Sequence, residues 1–349
     1  MALSVSPLDL GPFLFHQGFQ TPPITPWTSK TSLEGQTVIM TGANTGLGLD
    51  ACHHLVRLHV SQLIIACRSI AKGDIARQQL LDGAKAQDLA PRIDVWQLDL
   101  ASYESVRAFA ERAKSLQRLD CMFCNAGVEM YQFELCNGFE MSLAVNVVST
   151  MLLGVLMLPQ LRENATTLLK DTKLMFTGSM VHCLGDPKVL ENAETGQMLA
   201  TETAMARKNM EPLYTNSKMM ETLAVRELAK REPMDKDKLG GSVIIAHVNP
   251  GWCATELFRN TPQNAFRKGA FRFVGYTSEQ GSRTLAHAVA AAGRECHGRF
   301  LSECRPRNGG RWMENPRASG PTQKRFWQEL EDIFNEVAPE SQGVVAASR

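Results

Sequence analysis

The chain has 349 residues, 44% of them hydrophobic, enough to build one large α/β domain or two small ones around a sizeable core. Its 37 basic and 36 acidic residues leave a net charge of +1, which removes any electrostatic reason to expect nucleic acid or an anionic membrane surface as partner. The nine cysteines are scattered and odd in number, the pattern of reduced thiols in a cytoplasmic protein and not of a disulfide framework.

Residues 1–34 carry Phe13, Leu14, Phe15, Phe19 and the prolines Pro22, Pro23 and Pro26, with no basic start and no long apolar core. They read as an arm on the domain surface, not as a signal peptide. From 35 to 337 the pattern is that of a single domain. Short apolar runs at Thr37–Met40, Gln62–Ala66, Ile93–Leu98, Leu119–Phe123, Lys173–Phe176 and Ser242–Val248 alternate with helical patterns such as Ser102–Leu116 and Tyr214–Lys230. Most of the runs are apolar without alternation, as in parallel strands covered on both faces. The expected fold class is α/β: a doubly wound parallel sheet with helices on both faces and right-handed crossovers. Ligands of such sheets bind beyond the carboxyl ends of the strands.

Several stretches need separate treatment. Cys121-Met122-Phe123-Cys124 has metal or redox spacing, but it lies in an apolar run and has no second pair, so it reads as core strand. Met141–Leu161 is uncharged and long enough to span a bilayer. However, it contains Asn146, Ser149, Thr150, Gly154 and Pro159 and falls between two sheet strands, so it reads as a buried helix and not a membrane span. The polar segment 183–212 is expected to be a long loop. Residues 254–280, with Phe258, Phe266, Phe271 and Phe273 among basic residues, suggest either a lid over an apolar substrate or an irregular surface segment. Lys324–Val337 reads as an amphipathic helix, and 338–349 as a disordered tail.

Thr41-Gly42-Ala43-Asn44-Thr45-Gly46-Leu47-Gly48 follows the first apolar run and opens an amphipathic stretch at Leu47, Ala51, Leu55 and Leu58. Strand, glycine turn and helix form the context of a phosphate-binding loop. The glycines admit close backbone approach, and the helix N-terminus presents free N–H groups and a positive dipole end. The second strand ends in Ala66-Cys67-Arg68-Ser69, with Lys72 beyond. A carboxylate there would bind a ribose 2′-hydroxyl, whereas arginine accommodates a 2′-phosphate, so the residues favour NADP over NAD.

Tyr214-Thr215-Asn216-Ser217-Lys218 places a phenol and an ammonium on one helix face. A free phenol has a pKa near ~10, and a neighbouring cation favours its ionised form. Bringing that value to about 7 takes roughly 4 kcal/mol. The pair therefore predicts an acid–base tyrosine whose pKa is lowered by Lys218.

In order along the chain, Gly42, Gly46 and Gly48, then Asn125-Ala126-Gly127, Ser179, and Tyr214 with Lys218 resemble the short-chain dehydrogenase/reductase family over roughly residues 36 to 305. The closest flavour is the retinol-dehydrogenase and WW-domain-oxidoreductase group, together with fungal reductases that tailor secondary metabolites. The resemblance implies a Rossmann-type fold and NADP-dependent hydride transfer between a nicotinamide and a carbonyl/alcohol of a bulky apolar small molecule, by a monomer or homodimer. It implies that Asp99 contacts adenine, with Leu100 beside it; Asp99 also suits the N-cap of the next helix. Asn125, Ala126 and Gly127 approach the adenine ribose. Asn146 holds a water that passes protons to Lys218. Ser179 binds the substrate oxygen, although Gly178 stands where relatives often have a first serine. Pro250, Gly251 and Thr255 fix the nicotinamide carboxamide. Two other readings share these residues: a redox-neutral epimerase or cyclase, and an NADP-binding regulatory protein without catalysis.

Overall fold

The computed structural model describes residues 22–23, 31–232, 234, 241–253 and 275–345. Strands and helices alternate from the start: β1 (Thr37–Thr41), α1 (Gly46–Arg57), β2 (Gln62–Cys67), α2 (Ile70–Lys85), β3 (Arg92–Gln97), α3 (Tyr103–Ala113) and β4 (Cys121–Cys124). A small ribbon, β5 (Leu135–Cys136) and β6 (Phe139–Glu140), precedes the long helix α4 (Met141–Thr167). Then come β7 (Thr172–Thr177), a 3-10 turn (Met180–Leu184), α5 (Pro187–Asn192), α6 (Met198–Ala206), α7 (Leu213–Arg231) and β8 (Val243–Asn249). After the segment around 254–274, which lies outside the described residues, follow α8 (Ser278–Ala290), β9 (Phe300–Ser302), β10 (Arg305–Arg307), α9 (Arg311–Glu314) and α10 (Pro316–Val337).

Eight strands form one sheet in the order β10-β9-β8-β7-β4-β1-β2-β3, parallel except for the β9–β10 hairpin. The order turns at β1: β2 and β3 run out on one side, and β4, β7 and β8 on the other. This is the switch point of a doubly wound sheet, where strand ends open a crevice. The uniform apolarity of the strands has a direct cause. Val38 and Met40 face one core together with Leu63, Ile65, Cys121 and Phe123. Ile39, between them, faces the opposite core with Ile64, Met122 and Leu174. Both faces are covered, so neither set of alternating positions is polar.

The apolar helix α4 is buried inside the fold, which is why no side of it is polar. Cys121 and Cys124 are free, buried strand residues; burial pushes the Cys121 thiol up to about 12. Among the described residues no cluster of three or more candidate metal ligands occurs.

Two expectations are corrected. The segment 183–212 is not an irregular loop: the 3-10 turn, α5 and α6 occupy most of it. Its polar residues make internal bonds. Glu202 is 1% exposed and accepts from Asn216 Nδ2 at 2.9 and 3.1 Å. The carboxylate of Glu329 on α10 accepts the first N–H groups of α6, from Met198 and Leu199, at 2.8 and 2.9 Å. Nor is the stretch after Val337 a loose tail as far as residue 345. Pro339–Ser341 form a 3-10 turn, Arg107 pairs with Glu340, and Arg162 Nη1 donates to the Val344 carbonyl at 2.7 Å.

Candidate active site

Three loops meet at the carboxyl ends of β1, β4 and β7. Thr41 Oγ1 accepts from the backbone N–H groups of Asn125 and Ala126, both at 2.8 Å. Asn125 Nδ2 donates to the Thr41 carbonyl at 2.9 Å, and its Oδ1 accepts from Thr177 Oγ1 at 3.0 Å. The Thr177 carbonyl in turn accepts from Lys218 Nζ at 2.9 Å. A continuous hydrogen-bonded thread thus joins the glycine loop to the lysine of Y-x-x-x-K.

The loop itself fits a phosphate. Gly42 and Gly46 hold φ of +65° and +56°, a region that favours glycine. A Cβ on Gly42 would sit 2.8 Å from Ala126 Cα, and one on Gly48 would sit 2.6 Å from the Gly42 carbonyl. Beyond Gly46 the space is open. Thr45, the N-cap of α1, makes no side-chain bond to the first turn, and that turn carries no acid. Its N–H groups are therefore left for an external anion. Asn44, Thr45 and Leu47 are half-buried around this mouth. At the end of β2, Arg68 and Lys72 are both exposed, and Ser69 caps α2.

Asp99 is half-buried, with Leu100 buried beside it. It does not cap α3. Ser102 does, accepting from Ser105 N at 3.2 Å, while Asp99 Oδ1 accepts from Ala101 N at 3.0 Å. Asn146 lies in a π-helical turn, Ala144–Ser149, within α4. Both ends of its amide are committed to one residue: Oδ1 accepts from Val128 N at 2.8 Å and Nδ2 donates to the Val128 carbonyl at 2.7 Å. The side chain therefore braces the loop after Gly127, with one amide hydrogen and one oxygen lone pair to spare.

Ser179 begins the 3-10 turn, its Oγ accepting from Val181 N at 3.3 Å. The adjacent Gly178 is the answer to the missing serine: a Cβ there would lie 2.4 Å from His247 Cε1. His182 is buried between two carbonyls, with Nδ1 2.7 Å from that of Ser179 and Nε2 2.6 Å from that of Gly309; as a neutral ring it donates to one of them. Burial and His247 push its imidazole down to about 4. Pro250 and Gly251 follow β8, with Gly251 at φ +84°. Thr255 lies outside the described residues.

The expected electrostatics of Tyr214 do not hold. Burial first, then Glu129, Glu221 and Tyr131, push its phenol above the ordinary value. The Lys218 ammonium is spoken for: it also donates to Glu221 Oε2 at 2.7 Å. Glu221 and His247 were not singled out in the sequence. Glu221 was findable as an acid one turn beyond Lys218. His247 sits inside an apolar strand and offered no signal.

The short chain dehydrogenase family profile matches residues 36–169. The short chain dehydrogenase/reductase dmxR8 of Cryptosporiopsis sp. is 36% identical over 94% of this chain and 98% of its own. The short-chain dehydrogenase anuD of Penicillium roqueforti is 34% identical over 86% of this chain and 76% of its own. Among solved structures, the Pseudomonas aeruginosa RhlG/NADP complex superposes with a TM-score of 0.57 at 19% identity, covering 79% of this chain and 96% of that one. A short chain dehydrogenase from Burkholderia cenocepacia in complex with NADP gives 0.53 at 19%, covering 77% and 96%. The near full-length match to dmxR8 makes this chain a member of the short-chain dehydrogenase/reductase family.

Proposed function

We propose that this oxidoreductase uses NADP to interconvert a carbonyl and an alcohol on a bulky apolar small molecule in the cytoplasm. The observation that carries the reading is the hydrogen-bonded thread from Thr41 through Asn125 and Thr177 to Lys218, which ties the phosphate-type loop to the acid–base pair. When bound, the nicotinamide supplies or accepts the hydride. Gly42, Asn44, Thr45, Gly46, Leu47 and Gly48 cradle the pyrophosphate. Arg68 and Lys72, exposed at a strand end without a carboxylate, take the 2′-phosphate; the NADP complexes of the structural neighbours support this. Asp99 and Leu100 border the adenine, and Asn125, Ala126 and Gly127 the ribose. Pro250, Gly251 and Thr255 border the nicotinamide.

Ser179 orients the substrate oxygen. Tyr214, kept protonated by its surroundings, gives its proton to the developing alkoxide in the reductive direction. Lys218 holds the ribose side of the site, and Asn146 keeps the 125–128 loop in place. The apolar substrate class rests on sequence alone, on the aromatic residues Phe258, Phe266, Phe271 and Phe273 of the segment 254–280.

Titration with NADPH and NADH, read by tryptophan fluorescence, tests the cofactor assignment; a panel of hydrophobic ketones, read by loss of reduced-nicotinamide absorbance, tests the chemistry. NADPH should bind more tightly than NADH, and Arg68→Ala should weaken NADPH about tenfold, roughly one lost charged contact, while sparing NADH. Tyr214→Phe should abolish turnover and leave NADPH binding nearly intact. Failure to bind either cofactor, or full activity in Tyr214→Phe, would overturn the reading.

A further inference from the structure

Behind the Tyr214–Lys218 pair lies a second buried cluster. Glu221 is 1% exposed, one turn along α7 from Lys218, and its Oε2 takes the lysine ammonium at 2.7 Å. From β8, His247 Nε2 faces the same oxygen at 3.8 Å. His247 Nδ1 lies 3.1 Å from Thr222 Oγ1, whose own hydroxyl donates to the Lys218 carbonyl at 2.8 Å. Nδ1 is therefore the donating nitrogen, and Nε2 is the one turned toward the carboxylate. The seat of the imidazole is shaped for it: Gly178 leaves room on one side, and Phe300 and His182 pack at 6.0 and 6.4 Å between ring centroids.

The charged and titratable neighbours of this cluster come from every side. Lys218 and Tyr214 belong to α7 itself, His247 to β8, His182 to the 3-10 turn, and Cys124 to β4. Glu129 and Tyr131, from the loop after β4, reach Tyr214.

We infer that Glu221 is a positioning residue of the active site, acting through Lys218: it holds the ammonium against the Thr177 carbonyl and offsets its charge toward Tyr214. The inference rests on the oxidoreductase reading for the roles of Tyr214 and Lys218, but its physical content does not require turnover. An unopposed ammonium four residues from a phenol stabilises the phenolate. A buried carboxylate bonded to that ammonium brings the pair close to neutral, and the phenol keeps its proton. The site is thereby set toward donating a proton from tyrosine and not toward abstracting one.

The test uses the full chain without cofactor. Its four tyrosines are titrated by tyrosinate ultraviolet absorbance at alkaline pH below the unfolding transition, and the Tyr214 contribution is the part missing in Tyr214→Phe. Glu221→Gln should give about tenfold more Tyr214 phenolate at a given pH, a displacement of about one pH unit. Glu221→Asp keeps the charge but is one methylene short. Its phenolate titration should follow the wild type, while NADPH affinity falls about fivefold as the lysine loses one net hydrogen bond. A Glu221→Gln titration superimposable on the wild type overturns the inference. If Glu221→Gln shows no cooperative melt, Glu221→Asp decides: unchanged NADPH affinity in it overturns the inference, and the loss supports it. A wild type that binds no NADPH counts against the oxidoreductase reading, while the Glu221→Gln titration still decides the role of Glu221.

Discussion

Gly178 and His247 are a matched pair. The imidazole lies where any side chain at 178 would go, with Cε1, Nε2 and Nδ1 all within 2.7 Å of a Cβ built there. Gly178→Ala should cost about 1–3 kcal/mol by overpacking, seen as a lowered thermal midpoint. In a chain that also carries His247→Ala the glycine substitution should cost little, so a double-mutant cycle by calorimetry should show strong coupling. In the sequence, Gly178 read only as an absent serine, because its reason sits on a different strand. The Tyr214–Lys218 spacing was fully legible, since one helix carries both. The direction of the tyrosine's displacement was not. It depends on Glu129 and Glu221 and on burial, and a pair rule between two residues is silent about third parties.

At the scale of elements, the π-turn in α4 and the helices of 183–212 matter most. Asn146 both accepts from and donates to the Val128 backbone from within that turn. Asn146→Ala should leave a backbone donor and acceptor without their partner, costing roughly 1–3 kcal/mol. NADPH affinity, read by fluorescence, should fall with it, because Gly127 and Val128 lose their brace. The residue was legible as a site asparagine; its partner was not, since the contact crosses from α4 to a loop.

Helix α6 is coupled to α7 through Glu202 and Asn216, the latter lying between Tyr214 and Lys218. Burial pushes the Glu202 carboxyl up to about 7 from an ordinary 4.5. A raised carboxyl binds its proton more tightly in the folded state. Its penalty is therefore absent below about pH 4.5 and grows to about 3 kcal/mol by about pH 7. Glu202→Gln removes that penalty. Its thermal midpoint should exceed the wild type's at about pH 8 and converge with it toward about pH 5; equal offsets at both would contradict the assignment.

Across the whole molecule, the core strands β1, β2, β4, β7 and β8 were legible because two-sided burial makes them largely apolar, while β3, at the sheet edge, showed through Ile93, Val95 and Trp96. β9 and β10 were not, being three residues each, too short for any periodicity. The helices in 183–212 were hidden because what holds them, Glu202 on Asn216 and Glu329 on the first turn of α6, joins residues far apart in the chain. The C-terminal stretch was hidden for a similar reason: its hold on the domain is a few polar contacts and the fully buried Ala338. Deleting residues 338–349 should lower stability by roughly 1–3 kcal/mol in denaturant melts, the loss of two or three such contacts. The strand order also bears on how the chain is made. A ribosome that has released residues only as far as α4 has produced β1 to β4, but β7, which closes the open edge of β4, is still to come. Helix α4, apolar on every side, then lacks α7 to cover it. Every newly made copy passes through a stage with a bare strand edge and an uncovered greasy helix, the kind of surface that chaperones retain and that crowded expression turns into inclusion bodies.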